Sequence, residues 1–305
     1  MISRSELLAA AEAIRAGELV AFPTETVYGL GANALDPEAV ARIYEAKGRP
    51  ASSPLIVHVA SVEQARELAA DWPDSAQKLA ELFWPGPLTL VVHKNPIIPD
   101  RLTGGLDTVG LRMPANTIAL ALIREAGVPL AAPSANRFTE LSPTTAQHVR
   151  ESLGDRVALI LDGGPTDVGI ESTVLAVSPP CLLRPGSITR EQIESVIGPI
   201  SVDASDQIGR SPGQHARHYQ PRTRLVLARA NELPAGRGAY LFVSVPGKAA
   251  QPIHMPADAR AYAQRLYALL HELDAQNLDW IAVEPPPEGS EWDGVRDRLR
   301  RASAV

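Results

Sequence analysis

The run Leu19-Val-Ala-Phe-Pro-Thr-Glu-Thr-Val-Tyr-Gly-Leu-Gly-Ala-Asn-Ala-Leu-Asp36-Pro-Glu38 decides the fold class. An apolar segment, Leu19 to Phe22, gives way to hydroxyls and a carboxylate, and Gly29 to Ala34 then matches the loose dinucleotide pattern GxGxxA. In a dinucleotide-binding unit that pattern passes from strand to helix within a residue or two, so that a pyrophosphate sits on the helix N-terminus. Here Pro23 to Tyr28 intervene, and the helix signal comes only at Asp36, a cap followed by a first-turn proline and an acid. The stretch reads as strand, polar loop and capped helix, and the context argues against a Rossmann cofactor site.

Working outward, Leu7, Ala10, Ala11 and Ile14 share a helical face that Gly17 ends, and the helix opened by Asp36 is closed by Gly48. Ser61 with Gln64, and Thr189 with Gln192, are capping boxes. Asn116 to Gly127 reads as a further helix. Between these lie apolar runs, residues 55–59, 88–92, 108–112, 157–161 and 172–177, that read as strands of one sheet. Residues 199–222 change character, with Pro199, Gly209, Pro212, Gly213 and Pro221 among Ser, Asp, Gln and His. Strands are expected again at 225–228, 238–245 and 279–284. Helices are expected along the stripe Tyr262, Leu266, Leu269 and Leu273 and over the segment 294–301. The expected organisation is an α/β domain over 1–200, a linker over 201–222, and a small α/β domain over 223–305.

Composition agrees with two folded domains. The 305 residues are 45% hydrophobic and 21% charged, with a net charge of −6, which excludes a disordered or coiled-coil chain and gives no global basic field for nucleic acid or anionic membranes. One cysteine, Cys181, allows no intrachain disulfide and excludes four-cysteine zinc sites. With no signal-like N-terminus and no long apolar run, the expected location is the cytoplasm.

Two motifs read as incidental. Gly209-Arg-Ser-Pro-Gly213 has the form of a nucleophile elbow, but it lies in the linker and Pro212 opposes the sharp turn, so Ser211 is not expected to be catalytic. His215 and His218 have metal-pair spacing but no third ligand nearby. No P-loop is present.

Polar clusters at the ends of apolar runs are the better candidates, because loops there face a cleft. They are Thr24 to Tyr28, Lys47-Gly-Arg49 leading to Ser53 and His58, the strand Thr108 to Arg112, Ser134-Ala-Asn136 with Ser142, and Glu171-Ser172-Thr173. Alternation puts Thr108, Gly110 and Arg112 on one strand face. Only four lysines occur among 29 cationic residues, and one of them is Lys47. Taken singly, Lys47 and Arg49 could serve the negative helix end, Arg112 an ion pair, and His58 the core. Together, two cations at one loop suggest an anionic ligand.

The strings Pro23-Thr-Glu-Thr-Val-Tyr-Gly-Leu-Gly31, Tyr44-Glu-Ala-Lys47-Gly-Arg49-Pro50, Pro54-Leu-Ile-Val-His58, Trp84-Pro-Gly-Pro-Leu-Thr89, Gly110-Leu-Arg-Met-Pro114, Pro133-Ser-Ala-Asn136 and Leu183-Arg-Pro-Gly186 resemble the YrdC-like threonylcarbamoyl-AMP synthases. The segment Pro212 to Pro221 and the α/β stretch C-terminal to it resemble the long form of that family, with its extra C-terminal domain.

The resemblance implies a YrdC-like twisted mixed sheet with flanking helices around a positive cleft, plus a small Rossmann-like α/β domain. It implies condensation of L-threonine, bicarbonate and ATP to threonylcarbamoyl-AMP and pyrophosphate, with Mg2+ accompanying the nucleotide. A tRNA-threonylcarbamoyl transfer complex would act downstream, on tRNAs reading codons that begin with A, with weak or no direct tRNA binding by this chain. Threonine would be held by Thr26, His58, Arg112, Ala132 and Ser172. ATP would be held by Lys47, Arg49, Ser53, Thr108, Ser134, Asn136, Ser142, Arg184 and Tyr219, with Lys47 and Arg49 as the catalytic cations. No protein ligand for the metal is assigned. Position 53 departs from the family, in which asparagine is common. The chemistry suits the residues, since carbamate and triphosphate repel and each cation contact offers about 4 kcal/mol of Coulomb energy at ~4 Å before desolvation. Two rivals are a hydrogenase-maturation module, which one cysteine does not fit, and an RNA-binding factor, which the net charge disfavours.

Overall fold

A computed structural model describes residues 2–202 and 218–304. The first part opens with α1 (Arg4–Arg15), the hairpin β1 (Val20–Pro23) and β2 (Tyr28–Asn33), α2 (Pro37–Lys47), β3 (Ile56–His58), α3 (Val62–Leu68) and α4 (Asp74–Phe83). It continues through β4 (Leu88–His93), α5 (Asp100–Thr103), β5 (Thr108–Arg112), α6 (Thr117–Ala126), β6 (Leu130–Ala131), α7 (Ala146–Leu153) and β7 (Leu159–Ile160). It closes with β8 (Thr173–Val177), β9 (Pro180–Arg184), α8 (Arg190–Ile197) and β10 (Ser201–Val202). The second part holds β11 (Leu225–Leu227), β12 (Gly238–Phe242), β13 (Gln251–His254), α9 (Ala259–Asp274), β14 (Trp280–Val283) and α10 (Asp293–Ala302).

The caps explain several boundaries. Asp36 accepts from the Glu38 N–H, and α2 stops where Gly48 turns left-handed at φ 62°. Thr189 and Gln192 form the expected reciprocal box on α8. At α3 the box is relaxed: Ser61 takes the Gln64 N–H, but Gln64 reaches back to Ala60. The expected polar loop after Phe22 is only the turn 24–27: residues 28–33 return as β2, antiparallel to β1. The sequence reading also missed α4, which lacks a side-chain cap bond at Pro73, the helices α5 and α7, and the short strands β6, β9 and β13. Ser201–Val202, read as linker, pairs in parallel with Cys181–Leu182 as an edge strand.

Ten strands form one mixed sheet in the order β10-β9-β8-β4-β5-β3-β6-β2-β1-β7. Its two faces follow from strand alternation. Val20 and Phe22 of β1 pack with Ala10, Ala11 and Ile14 of α1 and Leu122 and Ile123 of α6, whereas Leu19 and Ala21 join the larger core containing Val40 and Ile43 of α2. The four C-terminal strands are all parallel, in the order β11-β14-β12-β13. One face of that sheet packs on α9 and α10, and this core is continuous with Val27, Leu141, Ile170 and Tyr219. The second domain is thus built onto loops of the first. Among the described residues no helix is long and apolar enough to cross a membrane.

Candidate functional site

The hairpin turn 24–27, the end of α2, the ends of β3 and β5, and the loops at 132–134 and 171–172 converge on one cavity, with about 540 Å³ of empty space including its mouth. Its walls contain Thr26, Arg49, His58, Arg112, Ala132, Ser134, Ser172, Arg184 and Tyr219, all expected from the sequence. Strand pairing does part of this work. β3 lies parallel to β5 with His58 opposite Arg112, so the two side chains leave neighbouring strands at the same level.

Three arginines give the cavity its charge. Arg112 is buried, with Nη2 2.7 Å from Glu25 Oε1 and donating to Thr26 Oγ1 at 3.0 Å, while Nε donates to Gly86 O at 3.3 Å. Neither Glu25 oxygen has a well-aligned hydrogen bond, so that contact is a close charge pair with poor donor geometry. Arg49 donates through Nη2 to Pro54 O at 3.1 Å and lies 5.6 Å over the Phe138 ring, and burial lowers its pKa to about 10. Arg184 forks through Nε and Nη2 onto Ser172 O at 3.1 and 3.0 Å, and burial pulls its pKa down.

His58 is held neutral, its pKa driven well below the imidazole range by burial and then by Arg112. Its Nδ1 is buried without a hydrogen-bond partner, which costs free energy unless a ligand supplies one. Ser172 Oγ is 2.8 Å from Thr89 Oγ1. Tyr219 is buried in the left-handed region at φ 62°, an unusual conformation for a bulky residue, and packs against His218 with ring centres 4.1 Å apart.

Five expected site residues do not line this cavity. Lys47 is buried behind it: Nζ donates to Ser134 O at 2.6 Å and to Asn136 O, so its charge organises the 134–136 loop. Burial, then Arg49, holds its pKa well below the usual lysine value. Asn136 bonds to Arg137 O and Glu140 O at 3.0 and 2.8 Å. Ser142 donates to Glu171 Oε1. Ser53 supports the wall through its carbonyl, which accepts from Tyr44 Oη at 3.0 Å and Arg49 Nε at 3.5 Å. Thr108 sits at the far end of β5 from Arg112, opposite His93. Ser211 and His215 lie outside the described residues.

Thr24, Val27, Gly29, Ile56, Pro133, Glu171 and His218 also line the cavity but were not assigned roles in it from the sequence. Glu171 was visible only as the neighbour of Ser172. It accepts from Ser142 and from Arg298 Nε at 2.6 Å. Among the described residues no group of three or more His, Cys, Asp or Glu side chains is placed to hold a metal ion.

A mixed sheet with a buried, arginine-lined cavity, Tyr219 in its wall and a second α/β domain packed behind, defines an enzyme that takes small anionic molecules. A family model described as "Telomere recombination", of the Sua5, YciO and YrdC proteins, matches residues 12–186, and one described as "Threonylcarbamoyl-AMP synthase, C-terminal domain" matches residues 188–304. The chain is 44% identical to the threonylcarbamoyl-AMP synthase of Pyrococcus abyssi and 43% identical to that of Bacillus subtilis. The first match covers 96% of this chain and 93% of the relative, the second 98% and 93%. The crystal structure of P. abyssi Sua5 complexed with L-threonine superposes with a TM-score of 0.93 at 42% identity, covering 99% of this chain and 95% of that one. The chain belongs to the threonylcarbamoyl-AMP synthase family, in its two-domain form.

Proposed function

We propose that this protein condenses L-threonine, bicarbonate and ATP into threonylcarbamoyl-AMP and pyrophosphate within the arginine-lined cavity. The observation that carries the reading is the meeting of Arg49, Arg112 and Arg184 in one buried site with a neutral His58 and the hydroxyls of Thr26, Ser134 and Ser172. Threonine's carboxylate, the carbamate formed from its amine, and ATP are all anionic. The uncharged threonine amine attacks carbon dioxide and gives up a proton, or attacks bicarbonate and releases water, to give a carbamate; a carbamate oxygen then attacks the α-phosphorus of ATP in line, and the bond to the bridging oxygen breaks to expel pyrophosphate. No enzyme nucleophile is required, and the protein's task is to hold two anions together.

On this reading Arg112 takes the threonine carboxylate with its remaining N–H groups, while Thr26, His58, Ser172 and the Ala132 backbone hold the other polar ends. Arg49, Ser134, Arg184 and Tyr219 face the nucleotide. Lys47, Ser53, Asn136 and Ser142 act from behind them, and Thr108 extends the nucleotide face along β5. Magnesium would accompany the triphosphate, whose oxygens would supply most of its ligands. Residues 1–200 are the catalytic domain, 201–222 the connection that brings Tyr219 over the cavity, and 223–305 the C-terminal domain. The product passes, in the cytoplasm, to a tRNA-threonylcarbamoyl transfer complex serving tRNAs that read codons beginning with A.

Pyrophosphate release from ATP and magnesium in bicarbonate buffer, with and without L-threonine, tests this. Release should require both threonine and bicarbonate and should fall at least a hundredfold in Arg49→Ala. A folded protein with no threonine-dependent release would overturn the proposal.

A further inference from the structure

Arg298 of α10 is fully buried but does not line the cavity. Its guanidinium crosses from the C-terminal domain into the wall behind the site. Nε donates to Glu171 Oε2 at 2.6 Å, Nη2 to Glu171 O at 3.1 Å, and Nη1 to Pro185 O at 2.9 Å and to Asp297 Oδ2 at 3.0 Å. Its Cζ lies 5.4 Å from the centre of the Tyr219 ring. Apart from Asp297, each of these partners belongs to or adjoins the cavity wall: Glu171 and Tyr219 line it, and Pro185 comes directly after Arg184.

We propose that Arg298 is a positioning residue for the condensation reaction, clamping and neutralising Glu171 so that Ser172, Arg184 and Tyr219 keep their places and the charge of Arg184 stays directed at the nucleotide. The inference rests on the function proposed above. Its geometric part follows from the chain of contacts. Arg184 is aimed by Ser172 O, and the adjoining Glu171 carbonyl is pinned by Arg298.

The electrostatic part follows from where Glu171 lies, a carboxylate in the wall of an anion site. Facing it are Arg298 and Asp297 from α10, Tyr267 from α9, Arg184 from β9, Lys47 from the end of α2, and Tyr219. Burial pushes its carboxyl up, but Arg298, then Arg184 and the Ser142 hydrogen bond, hold it below the usual carboxylate range. A neutral residue at 298 removes the largest of the influences that hold the carboxyl down, so it moves upward. While still ionised, the carboxylate would draw Arg184 away from the phosphates and repel them.

The test uses the full chain as Arg298→Met, Arg298→Lys, and Arg298→Met combined with Glu171→Gln, with ATP affinity read by calorimetry and turnover by pyrophosphate release. Arg298→Met should weaken ATP binding at least tenfold at neutral pH. Its affinity relative to the wild type at the same pH should recover on acidification, as Glu171 takes a proton. Adding Glu171→Gln should restore most of the lost affinity, an outcome that loss of packing alone would not give. Arg298→Lys, which keeps the charge without the fork, should fall between. Affinity that ignores both pH and Glu171→Gln, or wild-type affinity in a folded Arg298→Lys, would overturn the proposal. Calorimetry separates this from the function itself, because wild-type ATP binding without threonine-dependent turnover would sink the condensation reading alone.

Discussion

Replacing Lys47 by methionine takes away more than a charge at the cleft. Its ammonium ties Ser134 O and Asn136 O to the end of α2, and both carbonyls lose a buried donor when it goes. The expected cost is about 2 kcal/mol or more in urea unfolding, together with weaker ATP binding as Ser134 is released. Arg112→Ala strands Glu25 as an uncompensated buried carboxylate, for which about 3–5 kcal/mol of destabilisation is expected. Adding Glu25→Gln should recover most of that stability but not the KM for threonine, and the two readouts divide the pair's structural role from its catalytic one. At this scale the sequence was legible for residues whose side chains end strands, such as His58 and Arg112. For Lys47 the sequence showed a cation beside a loop, but not that its ammonium folds back on carbonyls from nearly ninety residues away. Arg298 was hidden for a related reason: in a helix also carrying Arg296, Arg300 and Arg301 it reads as one more solvated cation.

Most elements with strong local signals were found from sequence, although α7 was missed despite its Thr145 cap on the His148 N–H. Asp36, Pro37 and Gly48 fix α2 through cap, fixed φ and left-handed turn, so Asp36→Ala should cost about 1 kcal/mol in equilibrium unfolding. In contrast, β9 forms on the edge of β8 and β10 on the edge of β9, and two exposed residues at 201–202 carry no alternation to read. Docking between elements was equally invisible. Gly169 has φ 80°, and a Cβ there would stand 2.5 Å from Ala263 O on α9. Gly169→Ala should therefore push α9 off the 169–171 loop, giving faster proteolysis between the domains and weaker ATP binding while the fold of the first sheet persists. Unchanged proteolysis would show that α9 yields without cost.

Across the whole molecule, the two domains also meet at His148 of α7 and His271 of α9, stacked with ring centres 3.8 Å apart and planes 18° from parallel. Glu140, Glu151, Arg222 and Asp274 surround them. Burial, then His271, lowers the His148 pKa to about 4, and burial lowers that of His271 as well. Because the folded values lie below the unfolded value of roughly 6.5, the unfolded chain binds more protons between them. This contribution is complete above about pH 6.5 and drains away as pH falls toward 4. After allowance for solvent screening, the pair should give about 1–2 kcal/mol of pH dependence. Unfolding free energies from urea titration of the wild type should fall more steeply between pH 7.5 and 4.5 than those of His148→Gln, by the His148 share of that amount. Parallel curves would remove the histidines from the account. The sheet order has a last consequence, for synthesis. β4 lies between β5 and β8, and β1 between β2 and β7, so a growing chain exposes an unpaired edge of β1 until residue 160 emerges and of β4 until residue 177. Translation cannot deliver this domain in instalments, and the interval in which those edges stand open is when a nascent chain is exposed to wrong pairing with its neighbours.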